Sequence, residues 1–188
     1  QEIGELTDHS IGRKKILLDI PKNAFYFLGI ELSESHFYLV ITDNLGQVCA
    51  NQDQEVNSAK SANFSSHYII QMIQSFLEEH QDYDIKAIGI ALPGHYDFSS
   101  PSSKKIDTNN PIWQTIDLED IRTAFTIPVI FSNNGHCMII AKRLFEKQAR
   151  NHNFVFFHVG RGMHYNAGNV ARLSSYLNNA ESDFKEKN

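Results

Sequence analysis

Two adjacent asparagines, Asn133 and Asn134, end the apolar run Pro128-Val129-Ile130-Phe131-Ser132 and are followed by Gly135 and His136. A side-chain amide offers paired donors and acceptors that suit a hydroxyl-rich ligand, but it cannot take up a proton as a general base does. The local chemistry therefore points to holding a ligand more than to transforming it. Other residues share that capacity. Asn109 and Trp113 flank Pro111 and could line a cleft, and Gly94 follows Pro93 with a backbone amide that could face a ligand. The rings of His95 and His136 could bond hydroxyls, and Arg161, between Gly160 and Gly162, could meet an anionic ligand. Each has a plainer reading beside it. Asparagine is also favoured at turns and helix caps, so Asn133 could be a turn residue and Asn134 could cap a helix starting at His136 or Cys137. Gly94 suits a simple turn, a lone tryptophan beside proline suits a packing anchor, and loop histidines often have no role.

The elements that must position these residues follow from periodicity. Phe25 to Leu32, Phe37 to Ile41 and Gln47 to Ala50 read as a three-stranded antiparallel meander, separated by Ser33-Glu34-Ser35-His36 and Asp43-Asn44-Leu45-Gly46. A helix is expected from about Ser65 to His80, where Ile69, Ile70, Met72, Ile73, Phe76 and Leu77 recur at helical spacing. Ile85 to Leu92 is a nearly continuous apolar strand stopped by Pro93-Gly94, as in the covered centre of a sheet. A short helix near Leu118 to Phe125 leads to a strand over Val129 to Phe131. A second amphipathic helix spans about Cys137 to Arg150, and Phe154 to Val159 is the last clear strand. A meander followed by alternating helix and strand implies an α/β fold, a mixed sheet with helices on its faces. In such sheets ligands gather at strand ends, so the loops at Ser33-Glu34-Ser35, Pro93-Gly94-His95, Asn133-Asn134-Gly135 and Gly160-Arg161-Gly162 would frame a cleft.

Composition narrows the function classes. The chain has 188 residues and a formal net charge of -5, which gives no broad attraction for a phosphate backbone. No apolar run approaches membrane-spanning length and no basic-then-apolar leader opens the chain, so a cytoplasmic protein with no membrane partner is expected. Cys49 and Cys137 are far apart with no CxxC pair, which indicates neither a disulfide framework nor a closed zinc site, and both are expected as buried thiols. No metal and no cofactor is expected.

The order of motifs resembles the amino-terminal, actin-like lobe of the ROK family of repressors, open reading frames and sugar kinases. The resemblance is carried by Leu28-Gly29-Ile30-Glu31-Leu32, Gly89-Ile90-Ala91-Leu92-Pro93-Gly94, Asn109-Asn110-Pro111-Ile112-Trp113, Pro128-Val129-Ile130-Phe131-Ser132-Asn133-Asn134 and Val159-Gly160-Arg161-Gly162, covering roughly Gly12 to Met163. It implies a ribonuclease H-like or actin-like (ASKHA) lobe over residues 23–177, fading after about 163, with residues 1–22 as a linker from an upstream domain and 178–188 as a polar tail that frays. It also implies a sugar-binding role for Asn133 and places Asn134 at the position of the catalytic base in family kinases.

Three departures from the kinase pattern stand out. The first phosphate loop reads Glu31-Leu32-Ser33-Glu34-Ser35, without the glycines that close approach to phosphate requires and with an added carboxylate. The second survives only as Gly160-Arg161-Gly162, and Asn134 replaces a base by an amide. Family members without kinase chemistry are typically transcription regulators with a winged helix-turn-helix ahead of the lobe, and Ile11 to Leu18 resembles the link between the two domains. The resemblance thus implies a non-catalytic sensing domain of a dimeric, sugar-responsive regulator. Its ligand would be a sugar or sugar phosphate held by Gly94, Asn109, Asn133, Asn134 and His136, and it would reach DNA only through an upstream domain. A sugar kinase lobe, active or degenerate, and a domain kept only for oligomerisation are the alternatives.

Overall fold

The computed structural model describes residues 2–5, 16–33, 36–56, 65–94, 105–106, 111–146, 152–159 and 163–168. Strands β1 (Glu2–Glu5) and β2 (Ile16–Leu18) pair antiparallel in a small ribbon of their own, within the stretch expected to be a linker. The central sheet has five strands in the order β5-β4-β3-β6-β7. Strands β3 (Tyr26–Leu32), β4 (His36–Asp43) and β5 (Val48–Glu55) form the expected antiparallel meander. β6 (Ile85–Leu92) then lies parallel to β3, and β7 (Val129–Asn133) parallel to β6. The third meander strand runs five residues beyond its expected end at Ala50, to Glu55, because Asn51-Gln52-Asp53-Gln54-Glu55 forms a sheet edge and carries no apolar signal.

Alternation decides which face is buried. Leu28, Ile30 and Leu32 of β3 share a face with Phe37, Leu39 and Ile41 of β4, Ile88, Ile90 and Leu92 of β6, and Val129 and Phe131 of β7. Helix α1 (Ser66–Glu79) covers that face with Ile69, Ile73 and Phe76, and α3 (Leu118–Thr123) adds Leu118 and Ile121. The sequence starts both helices. Ser65 caps α1 by accepting from the Tyr68 amide, and Asp117 caps α3 by accepting from the amides of Glu119 and Asp120. Ser66 joins the two helices, its hydroxyl accepting from the Asp117 amide at 2.7 Å. A one-turn helix α2 (Pro111–Gln114), not expected from periodicity, brings the fully buried Trp113 into the same core.

Helix α4 (Asn134–Phe145) follows β7 and starts three residues before the expected Cys137. Its last residue, Phe145, lies against Gly46 in the β4–β5 turn, so α4 runs from the strand ends back to that turn. Gly46 has φ +79°, and a side chain there would also collide with the Phe145 ring. Asp43 shapes the same turn by accepting from the amides of Leu45 at 2.9 Å and Gln47 at 2.8 Å. Beyond α4, β8 (Phe154–Val159) and β9 (Met163–Gly168) form an antiparallel hairpin, and the buried Arg143 of α4 places its guanidinium 5.5 Å from the centre of the Phe154 ring. Both cysteines were expected as buried thiols: Cys137 is partly buried, whereas Cys49 is exposed on β5, a strand at the edge of the sheet. Among the described residues no helix is long and apolar enough to cross a membrane. The expected tail 178–188 lies outside the described residues.

Candidate functional site

The carboxyl ends of the parallel strands β3, β6 and β7 come together, and side-chain amides tie them. Asn133 closes β7 and caps α4, its Oδ1 accepting from the Gly135 amide at 2.9 Å. Its Nδ2 donates to the carbonyl of Gly94, two residues beyond the end of β6. Gly94 has φ +86°, a left-handed conformation that a side chain would strain and that turns this carbonyl toward β7. Both ends of the Asn133 amide are therefore engaged with backbone.

Asn134 is the first residue of α4, and its Nδ2 donates to the carbonyl of Leu32 at the end of β3, at 3.1 Å. Its Oδ1 is buried and has no hydrogen-bond partner among the described residues. A buried acceptor left unmet costs about 1–3 kcal/mol, which makes this oxygen the natural receiver of a donor from a ligand or a water. One residue further along β3, the Ser33 carbonyl accepts from Trp113 Nε1 at 2.8 Å. Two consecutive carbonyls of one strand end are thus held by side chains from α4 and α2.

Around the first turn of α4 lies a small polar group. His136 Nδ1 is 3.2 Å from the Ser132 hydroxyl. Burial pushes the Cys137 thiol above its ordinary value, the Ser132 hydroxyl opposes this and the Glu31 carboxylate reinforces it. No three His, Cys, Asp or Glu side chains among the described residues stand close enough together to hold a metal ion.

Of the residues singled out in the sequence, Asn133 is thus bonded to Gly94, Asn134 to the end of β3, and His136 to Ser132 at the first turn of α4. Asn109, His95, Glu34, Ser35 and the Gly160-Arg161-Gly162 loop lie outside the described residues. The carbonyls of Leu32 and Ser33 were not anticipated, since every residue supplies a carbonyl and no side-chain pattern marks the ones that matter. Ser132 was legible only as part of a strand.

The sequence profile of the ROK family matches residues 27–166, a span that takes in every strand and helix from β4 to α4. The chain belongs to the ROK family. A xylose repressor from Bacillus spizizenii is 29% identical over 159 residues, which cover 83% of this chain and 40% of that protein. The chain thus spans less than half the length of the curated relatives it matches. Among solved structures, a ROK family transcriptional regulator homologous to the E. coli MLC protein superposes with a TM-score of 0.62 at 17% identity, covering 76% of this chain and 36% of that one. A ROK family glucokinase from Streptomyces griseus, in complex with glucose and AMPPNP, superposes with a TM-score of 0.56 at 14% identity, covering 76% and 44%. Regulators and kinases of the family share this actin-like lobe, so the fold alone does not choose between them.

Proposed function

We propose that this lobe is the non-catalytic effector-sensing part of a sugar-responsive ROK regulator. The observation that carries the reading is Asn134. The position matched to the catalytic base of family kinases holds an amide whose nitrogen is committed to the Leu32 carbonyl. An amide cannot accept the proton of a sugar hydroxyl, whereas its buried oxygen can accept a hydrogen bond from one. The β3–β4 connection supports the same reading. The Ser33 amide donates to the His36 carbonyl at 3.0 Å and so is not free to meet a phosphate.

In this reading a sugar or sugar phosphate enters among the strand ends, donates to Asn134 Oδ1 and favours one arrangement of the intact, dimeric protein over another. DNA affinity then changes through a DNA-binding domain elsewhere in the chain, by the difference in ligand affinity between the two arrangements. The similarity to a xylose repressor makes D-xylose the first sugar to test. Titration calorimetry of the intact cytoplasmic protein against D-xylose, D-glucose, their phosphates and ATP should give heat with a sugar and none with ATP. Phosphoryl transfer from ATP to any of these sugars would establish the kinase reading instead. Silence with every ligand would leave a lobe kept for oligomerisation.

A further inference from the structure

The carbonyls of Leu32 and Ser33 are consecutive, and each receives a donor from a different element 102 and 80 residues away in sequence. Between them they hold two successive carbonyls where the chain leaves β3. The next step outward is equally defined. The Ser33 amide donates to the His36 carbonyl at 3.0 Å, and the His36 amide donates to the Ser33 hydroxyl at 3.1 Å. His36 begins β4, and its Nδ1 lies 2.9 Å from Asp53 Oδ1 on the outer strand β5. A continuous chain of polar contacts therefore runs from the cleft to the exposed edge of the sheet. Side-chain donors to a strand-end carbonyl are directional, so a shift of either donor moves the peptide it holds.

We propose that Asn134 and Trp113 act as positioning residues that hold the Ser33–His36 closure, and that occupancy of the cleft is transmitted through it to the His36–Asp53 pair on the outer strand. The transmission rests on the sugar-sensing reading; the anchoring does not. A ligand that donates to Asn134 Oδ1 polarises the same amide whose nitrogen holds Leu32, which gives occupancy a direct mechanical link to β3. Trp113 supplies the second hold from a side chain that is completely buried and so has little freedom to compensate.

Amide hydrogen exchange followed by NMR on the intact protein tests both parts. Trp113→Phe keeps a ring and removes the donor to Ser33. It should speed exchange of the Ser33 and His36 amides by about five- to tenfold while leaving those of α1 and β6 unchanged. If that variant does not fold, Asn134→Ala, which removes the donor to Leu32, is read in the same way. In the unmodified protein, saturating D-xylose should alter exchange at His36 and at Asp53. In Trp113→Phe the sugar should still bind but the change at Asp53 should disappear. Unchanged exchange at Ser33 and His36 in the variants overturns the anchoring. Sugar binding that leaves His36 and Asp53 unaffected overturns the transmission. Absence of binding by any sugar, with the variants still freeing the closure, overturns the sensing reading and the transmission while sustaining the anchoring.

Discussion

The buried face of the sheet and the carboxyl ends of its parallel strands are held together in different ways. Beneath α1 and α3, Leu28, Ile30, Ile88, Ile90 and Phe131 meet Ile69, Ile73 and Phe76 in contacts that are numerous, non-directional and individually replaceable by other apolar groups. At the strand ends, three side chains, Asn133, Asn134 and Trp113, make single directed bonds to the carbonyls of Gly94, Leu32 and Ser33. The first region specifies that the sheet closes. The second specifies where the closed sheet places a few polar atoms, which is the property a ligand site needs.

The comparison predicts a graded series of effects, and the largest belongs to the apolar face. Ile88→Ala or Ile69→Ala should cost about 3–4 kcal/mol in urea unfolding, because each side chain is fully buried and its loss leaves a cavity. A smaller loss there than at the strand ends would break the contrast. Asn134→Asp should cost about 2–3 kcal/mol. It removes the donor to Leu32 and sets a carboxylate oxygen beside a carbonyl, so it should confer no phosphoryl transfer in a coupled ATP and hexose assay. Turnover by that variant would show that the amide is the sole defect. Asn133→Ala should cost about 1–2 kcal/mol through loss of the α4 cap and of the bond to Gly94.

The smallest effect is electrostatic. With its thiol raised above the ordinary 9.0 by burial, Cys137 carries less thiolate at neutral pH, so its alkylation by iodoacetamide should lag behind that of exposed Cys49 and accelerate only at more alkaline pH. The sign for stability follows from the same shift. The folded state holds this proton more tightly than the unfolded state, so its contribution is complete below the unfolded value and is lost as pH rises through the folded one. A thiol that reacted as fast as Cys49 would mean that the first turn of α4 opens readily.

Legibility in the sequence divides along the same line. The meander, α1 and β6 could be read because burial imposes periods of 2 and 3.6 on apolar residues, and Ile69, Ile73 and Phe76 are buried where that spacing puts them. The expected cap of α4, Asn134, is instead its first helical residue, and the cap is Asn133, because adjacent asparagines are equally suited to the position and only the backbone geometry chooses between them. Strand β9 escaped notice, since Met163-His164-Tyr165-Asn166-Ala167-Gly168 lacks a clear apolar alternation. At the site, the placing of Asn133 and Asn134 at a strand end was readable, but the division of labour within the pair was not. Which amide keeps an open acceptor depends on where the Leu32 carbonyl ends up, and sequence spacing says nothing of that.

The bond between Asn134 and Leu32 also bears on the order of assembly. β3, β4 and β5 are neighbours in sequence and can pair through short loop closures, whereas the bond of Asn134 to Leu32 spans 102 residues and needs β6 and β7 in place between them. Loop-closure cost therefore predicts that the apolar interior forms before the strand-end polar atoms come into register. A partly folded molecule of this kind would resist proteolysis in the meander before the acceptor at Asn134 is in place.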